Sequence, residues 1–275
     1  MGCHVDADGR SKYNGGGDCS GGAKQLRIKF LGTGAAEGIP SFGCTCQRCR
    51  VARAEGGHNV RRRASLLIEA AGHRILLDTP PEISTLLNQA EVFDLSAIFL
   101  SHEHFDHIGG LVEFEYWNQV LPIFAGYDVL PKLQLTPRLE SRALLSGFYS
   151  HTWLHFGALK VMPFKVVHHV PCYGFVFEGR EGTRVLHFSD SSPDLGHLHR
   201  HLLEKADVAV FHTPTFEPYR SHISIQEVIS LVQEYSLQRA IITHINHNNL
   251  LHEELVERVA PYGIIVACDG LILEV

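Results

Sequence analysis

His102-Glu103-His104-Phe105-Asp106-His107 places four potential metal ligands within six residues, followed by the small pair Gly109-Gly110. Imidazoles two residues apart can converge on one ion, while Asp106 and His107 can turn towards a second. The apolar run Leu95-Ser96-Ala97-Ile98-Phe99-Leu100 reads as a buried strand leading into this segment. The ligands therefore leave the carboxyl end of a strand, where α/β proteins place their chemistry. His168, Asp190 and His244 stand at the ends of three later predicted strands. Strands delivering ligands to one edge would bring all of them to the His102–His107 segment.

The strands and helices that must position these residues alternate along the chain. Leu26–Leu31, a hairpin of Ser65–Glu69 and Arg74–Asp78 around Ala71-Gly72, and the strand at 95–100 fill the first half. A helix from Pro80-Pro81 to about Gln89 lies between them, and another is expected from about Ile108. Leu159–Val167, Tyr173–Glu178, Arg184–Ser189, Asp207–His212 and Ala240–Thr243 read as strands in the second half, with helices near 194–205, 223–236 and 249–259. Ile264–Ala267 and Leu271–Val275 are expected to close the sheet. Two central sheets with helices outside bury this order of elements best. Residues 1–23, with Gly15-Gly16-Gly17 and Gly21-Gly22, read as a flexible tail before one domain over 24–275. The segment 113–158 carries no interpretable motif and is expected to line the cleft.

The chain has 275 residues, 19 of them histidine and 7 cysteine, and a net charge of −6 with histidine neutral. That balance disfavours wholesale electrostatic binding to nucleic acid. The basic cluster Arg61-Arg62-Arg63 is either a solvated turn or a contact for an anionic substrate. No apolar run approaches the ~20 residues needed to span a bilayer, and the N-terminus has no apolar signal-peptide core. Met1-Gly2-Cys3 resembles an acylation signal, but Asp6 stands where that signal requires Ser or Thr. Crowding of Cys44, Cys46 and Cys49 suits metal binding in a reducing compartment better than a disulfide framework, so a cytoplasmic location is expected.

These residues together resemble the metallo-β-lactamase superfamily from about residue 26 to the C-terminus. The resemblance implies an α/β (α+β) fold, an αββα four-layer sandwich with its active site along one sheet edge. It further implies one metal site from His102, His104 and His168 and a second from Asp106, His107 and His244, bridged by Asp190. Asp78 matches a supporting aspartate that orients the histidine segment. Five neutral imidazoles and two carboxylates offset two of the four charges of a divalent pair, and a bridging hydroxide leaves about +1, suited to a phosphodiester. Nitrogen-rich ligation favours zinc, with manganese or iron open. His104 argues against the oxygen-reducing di-iron branch, which has Glu there.

Gly43-Cys44-Thr45-Cys46-Gln47-Arg48-Cys49 holds three thiols within six residues and no fourth ligand nearby. The spacing His244-Ile245-Asn246-His247 supplies one: with His244 on the catalytic metal, His247 can close a Cys₃His structural zinc site. Exposed redox-sensing thiols are the alternative. With Leu31-Gly32-Thr33-Gly34, Ile39-Pro40, His168–Gly174, Ser189-Asp190 and Thr243–His247, this cluster narrows the resemblance to PhnP-like phosphodiesterases, which imply both metal sites. His222-Ile223-Ser224 precedes an amphipathic helix that Ser224 can cap. In that family the corresponding His contacts the phosphate and is a candidate general acid. His169 is expected to point away from His168, and His197, His199 and His201 to form a solvated patch; His212, just after a strand, can border the cleft, but nothing in the sequence pairs it.

The expectation is a metal-dependent phosphoric diester hydrolase acting on a small, perhaps cyclic, phosphodiester, with Asp106 and His222 as catalytic residues. It would hold two divalent ions, Zn or Mn, and one structural Zn. No membrane or stable nucleic-acid partner is expected, and a homodimer is the default assembly. Two alternatives stand beside it: a tRNA 3′-processing endonuclease, for which no basic insertion is visible, and a non-catalytic accessory protein resembling PqqB.

Overall fold

The computed structural model describes His4–Val5, residues 26–219 and residues 221–275. Its strands are β1 (His4–Val5), β2 (Arg27–Gly32), β3 (Ser65–Ala70), β4 (His73–Leu77), β5 (Ala97–Leu100), β6 (Leu121–Gly126), β7 (Ala143–Phe148), β8 (Leu154–Phe156), β9 (Leu159–Val166), β10 (Cys172–Glu178), β11 (Arg184–Phe188), β12 (Val208–His212), β13 (Ala240–Thr243), β14 (Ile264–Val266) and β15 (Ile272–Glu274). The helices are α1 (Gln47–Glu55), α2 (Ile83–Gln89), α3 (Phe105–Ile108), α4 (Pro137–Glu140), α5 (His197–Leu203), α6 (Ile225–Tyr235) and α7 (His252–Val259). An eight-stranded sheet has the order β1-β15-β2-β3-β4-β5-β6-β7, and a seven-stranded sheet the order β14-β13-β12-β11-β10-β9-β8.

Alternation within the second sheet shows how the layers stack. Phe175, Phe177, Val208, Val210 and Ile241 join the core shared with the first sheet. Their neighbours Val176, Ala209, Phe211, Ala240 and Ile242 pack with Ile225 and Val228 of α6 and Leu255 and Val259 of α7. Successive side chains on a strand face opposite sides, so the sheet meets its partner on one face and helices on the other. On the far side, α2 packs Ile83, Leu86 and Leu87 into the first core. The arrangement is the αββα sandwich. Strands β5, β10, β12 and β13 are buried at every residue. Strands covered on both faces are largely apolar, and the polar Glu178, His212 and Thr243 fall at the last positions of β10, β12 and β13.

Strand direction decides where the side chains with chemistry go. β9 and β11 each run antiparallel to β10, and β11, β12 and β13 are mutually parallel. The carboxyl ends of β9, β11, β12 and β13 therefore share one edge. β4 and β5 are parallel in the first sheet. A backbone bond from Tyr173 N–H to Ser101 O, at 3.1 Å, ties the ends of the two sheets together. The segment after β2 pairs with the segment after β13, Ala35 N–H donating to Ile245 O at 3.0 Å and Ile245 N–H to Thr33 O at 2.9 Å.

Several boundaries differ from the sequence-based expectation. The helix expected from about Ile108 is not formed: a single helical turn, α3, ends there, carrying Asp106 and His107, and a 3-10 segment follows over Leu111–Tyr116. Gly110 follows α3 because a Cβ there would lie 2.0 Å from Pro80 O. The two last strands do not close one sheet: β14 is the edge of the second, and β15 pairs with β2 in the first. Hydrophobic periodicity marks both as strands but says nothing about which sheet receives them. The expected flexible tail over residues 1–23 lies outside the described residues except at His4–Val5, which pair in parallel with Ile272–Leu273.

The segment 113–158 builds β6, β7 and β8 and does not line the cleft described below. The three arginines are bound into the fold. Arg61 is buried and donates to Thr33 Oγ1 and Ala267 O, Arg62 N–H donates to Asp269, and Arg63 pairs with Glu82 at 2.9 Å. No helix among the described residues is long and apolar enough to cross a membrane.

Phe99 is where the two sheets lock together. It stacks on Phe124 at 4.8 Å and meets Phe175 of the opposite sheet edge-on at 5.7 Å, fully buried. Phe99→Ala is expected to cost about 3–5 kcal/mol of unfolding free energy, measured by urea denaturation. A cost within about 0.5 kcal/mol, the usual range for a surface substitution, would show that this contact does not hold the sheets.

Candidate metal centre

Each candidate ligand leaves the shared edge. His102 and His104 follow β5, with Asp106 and His107 on α3; His168 lies just past β9, Asp190 just past β11, and His244 directly after β13. His102 Nε2 lies 2.8 Å from His104 Nδ1, and His168 Nε2 lies 3.5 Å from that same atom. Donor atoms of His102, His104, His168 and Asp190 all fall within 4.8 Å of one another. On the other side of Asp190, His107 Nε2 approaches Asp106 Oδ2 at 3.3 Å and Asp190 Oδ2 at 3.6 Å. His244 Nε2 lies 3.4 Å from Asp106 Oδ2 and 3.5 Å from Asp190 Oδ1. Asp190 thus stands between two groups of donors.

Hydrogen bonds behind the ligands fix which ring nitrogens face inward. Asp78 Oδ1 accepts from Ser101 N–H, while its Oδ2 accepts from Ser101 Oγ and His107 Nδ1, all at 2.7 Å. A carboxylate only accepts, so His107 keeps a proton on Nδ1 and directs Nε2 inward. Ser101 Oγ, its proton given to Asp78, accepts in turn from His102 Nδ1 at 2.9 Å. His102 Nε2 then carries a lone pair. Asp78 holds φ +62° and His244 φ +59°, a left-handed backbone that non-glycine residues adopt at a cost. Both stand directly after a strand, where the chain must turn a ligand or its support into the edge.

The electrostatics favour a cation at this place. Burial alone would raise the Asp106 carboxyl, but His107 and His244 outweigh it and hold it well below the usual carboxylate range. Asp190 behaves likewise: burial raises it, and His244 and His107 bring it well below. Burial would lower His107, yet Asp106, Asp78 and Asp190 draw it well above its ordinary value. Burial pushes His102 well down and His168 down to about 4, so both present lone pairs at neutral pH. His107 Nε2 is buried at the centre and makes no hydrogen bond among the described residues. An orphaned nitrogen facing two carboxylates and further imidazoles is the donor set of a metal centre, and the residues fit divalent ions.

Two histidines that the sequence leaves without a role complete the surroundings. His212, the last residue of β12, donates from Nδ1 to Asp190 Oδ1 at 2.9 Å. Its Nε2 lies 3.2 Å from Nε2 of His187, itself buried in β11. The expectation that His212 has no partner is therefore corrected. Its strand-end position was the same signal that marked His168 and His244, but nothing local reveals a partner 25 residues away. His212 also falls within 4.8 Å of His107, Asp190 and His244. Serving as a ligand through Nδ1 would take its proton away from Asp190. His169 is also corrected: β9 ends at Val166, strand alternation no longer applies, and its ring packs against His104 at 4.6 Å.

His222 borders the cleft, with Nδ1 4.0 Å from Asp190 Oδ1 and its ring 5.3 Å from that of His168. Ser224 caps α6, its Oγ accepting from Glu227 N–H at 3.2 Å while Glu227 Oε2 accepts from Ser224 N–H at 2.7 Å. This box holds the turn on which His222 sits. The cleft measures about 470 Å³, and Asp106, Asp190, His222 and His244 share its wall with Glu37 and Asn246.

The cysteines form a second donor group. Cys44 Sγ and Cys46 Sγ lie 3.3 and 3.6 Å from His247 Nδ1, and donors of Cys44, Cys46, Cys49 and His247 all fall within 4.8 Å. Cys46 caps α1, its Sγ accepting from Cys49 N–H at 3.5 Å. Although burial would raise the Cys46 thiol, that N–H and His247 bring it down to about 6, a thiolate at neutral pH. Burial raises Cys49 to about 11 beside this thiolate. One thiolate with two further sulfurs and an imidazole is the composition of a closed Cys₃His site.

Comparison with known proteins agrees with this architecture. An octanoyltransferase from Porphyromonas gingivalis is 29% identical over 267 residues, 90% of this chain and 51% of that protein, so the chain spans about half its length. A coenzyme PQQ synthesis protein B from Cupriavidus necator is 24% identical across 89% of this chain and 98% of its own. The crystal structure of a diphosphatase from the PhnP family has the same fold, with a TM-score of 0.81, 24% identity, and coverage of 91% of this chain and 97% of that one. The family profile described as the beta-lactamase superfamily domain matches residues 73–245, from β4 to just past His244. With the αββα sandwich and the edge-on histidine cluster, that match makes the chain a member of the metallo-β-lactamase superfamily.

Proposed function

We infer that the protein is a metal-dependent phosphodiesterase that holds two divalent ions on either side of Asp190 and hydrolyses a small phosphodiester. The observation that carries this reading is the buried, unpartnered His107 Nε2 among Asp106, Asp190 and His244, with His102, His104 and His168 gathered on the other side of Asp190. His102, His104 and His168 would hold one ion, and Asp106, His107 and His244 the other. His212 is better kept as the donor that orients Asp190. Such ions acidify water and neutralise charge on phosphoryl oxygens.

The chain's own residues do the positioning. Asp78 and Ser101 set the tautomers of His107 and His102, and His212 holds the carboxylate between the two sites. Hydrolysis forms one P–O bond from water and breaks the P–O bond to the leaving alcohol, whose oxygen must gain a proton. His222 faces the cleft with a ring nitrogen that no protein group engages among the described residues, and it is placed to deliver that proton. Burial lowers His222, with His244 and His107 adding to the effect against Asp190. A lowered value makes its protonated form the stronger acid.

The second donor group would hold a structural zinc through Cys44, Cys46, Cys49 and His247, joining the α1 loop to the turn after β13. Likeness to coenzyme PQQ synthesis protein B favours a second reading, an accessory protein in which only this cluster carries metal. Metal content separates the two. About three ions per chain, with turnover of bis(p-nitrophenyl) phosphate or a nucleoside 2′,3′-cyclic phosphate, is expected for the enzyme. A single tightly held zinc and no turnover on any diester would sink the phosphodiesterase reading.

The two metal groups should come apart by mutation. Asp106→Ala is expected to cut turnover by about 10³-fold or more and leave the cysteine-bound zinc in place, read by elemental analysis. Cys46→Ser should lose one zinc and melt at lower temperature; unchanged metal content would remove the structural-site assignment. Asp78→Asn touches no metal but withdraws the acceptor behind His107, so affinity for the active-site metals should fall about 10–100-fold. Chelator competition measures this, and an unaltered affinity would mean Asp78 does not orient the ligand.

A further inference from the structure

We propose that Glu37 reads a hydroxyl group on the alcohol portion of the substrate, and that the cysteine cluster sets this carboxylate in place through His247. The proposal rests on the phosphodiesterase reading. It adds to that reading a specificity residue, one that selects diesters whose alcohol carries a free hydroxyl.

Glu37 lies between the two donor groups. Its Oε1 faces His247 Nε2 at 3.2 Å and accepts a hydrogen bond from Asn246 Nδ2. The opposite ring nitrogen of His247, Nδ1, is the one that faces Cys44 and Cys46. An imidazole that gives its Nδ1 lone pair to a metal keeps its proton on Nε2, where it can only donate. Metal in the cysteine cluster would therefore fix the His247 tautomer that Glu37 needs. The backbone beneath Glu37 is equally constrained: Gly38 N–H donates to Ala35 O at 2.9 Å, Ala35 N–H is tied to Ile245, and Ala36 O accepts from Arg63 Nε at 2.6 Å.

With Oε1 engaged, Oε2 has no hydrogen-bond partner among the described residues, and Glu37 lines the same cleft as Asp106, Asp190 and His222. A fixed carboxylate oxygen accepts from a hydroxyl and has nothing to offer an aromatic ester. It repels a second anionic group on the alcohol. Sites built to hydrogen-bond a hydroxyl discriminate strongly against analogues that lack it, because the polar group is then left unpaired.

Two chromogenic diesters with the same leaving group isolate the effect: thymidine 5′-(p-nitrophenyl phosphate), which carries a free hydroxyl, and bis(p-nitrophenyl) phosphate, which carries none. In Glu37→Ala, kcat/KM for the thymidine diester is expected to fall at least about tenfold further than for the other, the range of a hydrogen bond to a charged group. Cys46→Ser, with active-site metals retained, should shift the same ratio in the same direction. Calorimetry gives a readout apart from turnover: Glu37→Ala should weaken thymidine 5′-monophosphate about tenfold more than inorganic phosphate. Equal losses on both diesters and both ligands would overturn the role of Glu37. A Cys46→Ser protein that loses its zinc yet keeps the wild-type ratio would overturn the coupling. If wild type cleaves neither diester, the phosphodiesterase reading fails, and the calorimetric comparison alone decides whether Glu37 reads the hydroxyl.

Discussion

A carboxylate buried as completely as Asp190 costs several kcal/mol in desolvation unless charge and hydrogen bonds are brought to it. Here they come from His102, His107, His212 and His244, which approach its two oxygens from different strands and loops. None of these side chains could reach it unless β5, β11, β12 and β13 ended at one level. The need to surround one acid therefore constrains strand direction, strand length and the seam between the sheets. A register slip in β12 or β13 would carry His212 or His244 to the wrong face and leave the carboxylate uncompensated.

The same constraint explains the contrast between the middle of the molecule and its edge. Within the sandwich, Phe99, Phe124, Phe148, Phe156 and Phe175 form a continuous aromatic cluster. It supplies apolar burial and holds the sheets at a fixed separation. At the edge the buried side chains are polar, and they support one another from behind, Asp78 with Ser101 and His107, His212 with Asp190 and His187, while among the described residues His107 Nε2 and a ring nitrogen of His222 are left without a hydrogen-bond partner. The paired part of this network fixes the rings, and the atoms it leaves unpaired are the ones that face the cleft centre.

Much of this could be read in the residues before any fold was known. Residues able to ligate a metal are chemically conspicuous, and His102–His107 after an apolar strand marks where a candidate set lies. The buried strands were legible because coverage on both faces demands runs such as Ala240–Thr243. What stayed hidden depends on distance. His187 looks like a single polar interruption in β11, and its meaning comes from His212 across the sheet. Glu37 sits in a glycine-rich turn with no local signal, and only the fold brings it to His247. The allocation of Ile264–Val266 and Ile272–Glu274 to different sheets was invisible for the same reason. Periodicity describes one strand's faces and carries no information about its neighbours.

That division of the last two strands has a consequence for assembly. β14 completes one sheet, and after a turn in which Asp269 accepts from Thr33 and Arg62, β15 returns to pair with β2 at the far end of the sequence. His244 and His247 lie just upstream of that stitch. Domains tend to form as units during synthesis, and pairings between distant segments come late. A nascent chain would thus carry Cys44–Cys49 without His247, and Asp106 and His107 without His244, through a long stretch of its synthesis. Ions captured early would be held by partial sets of ligands.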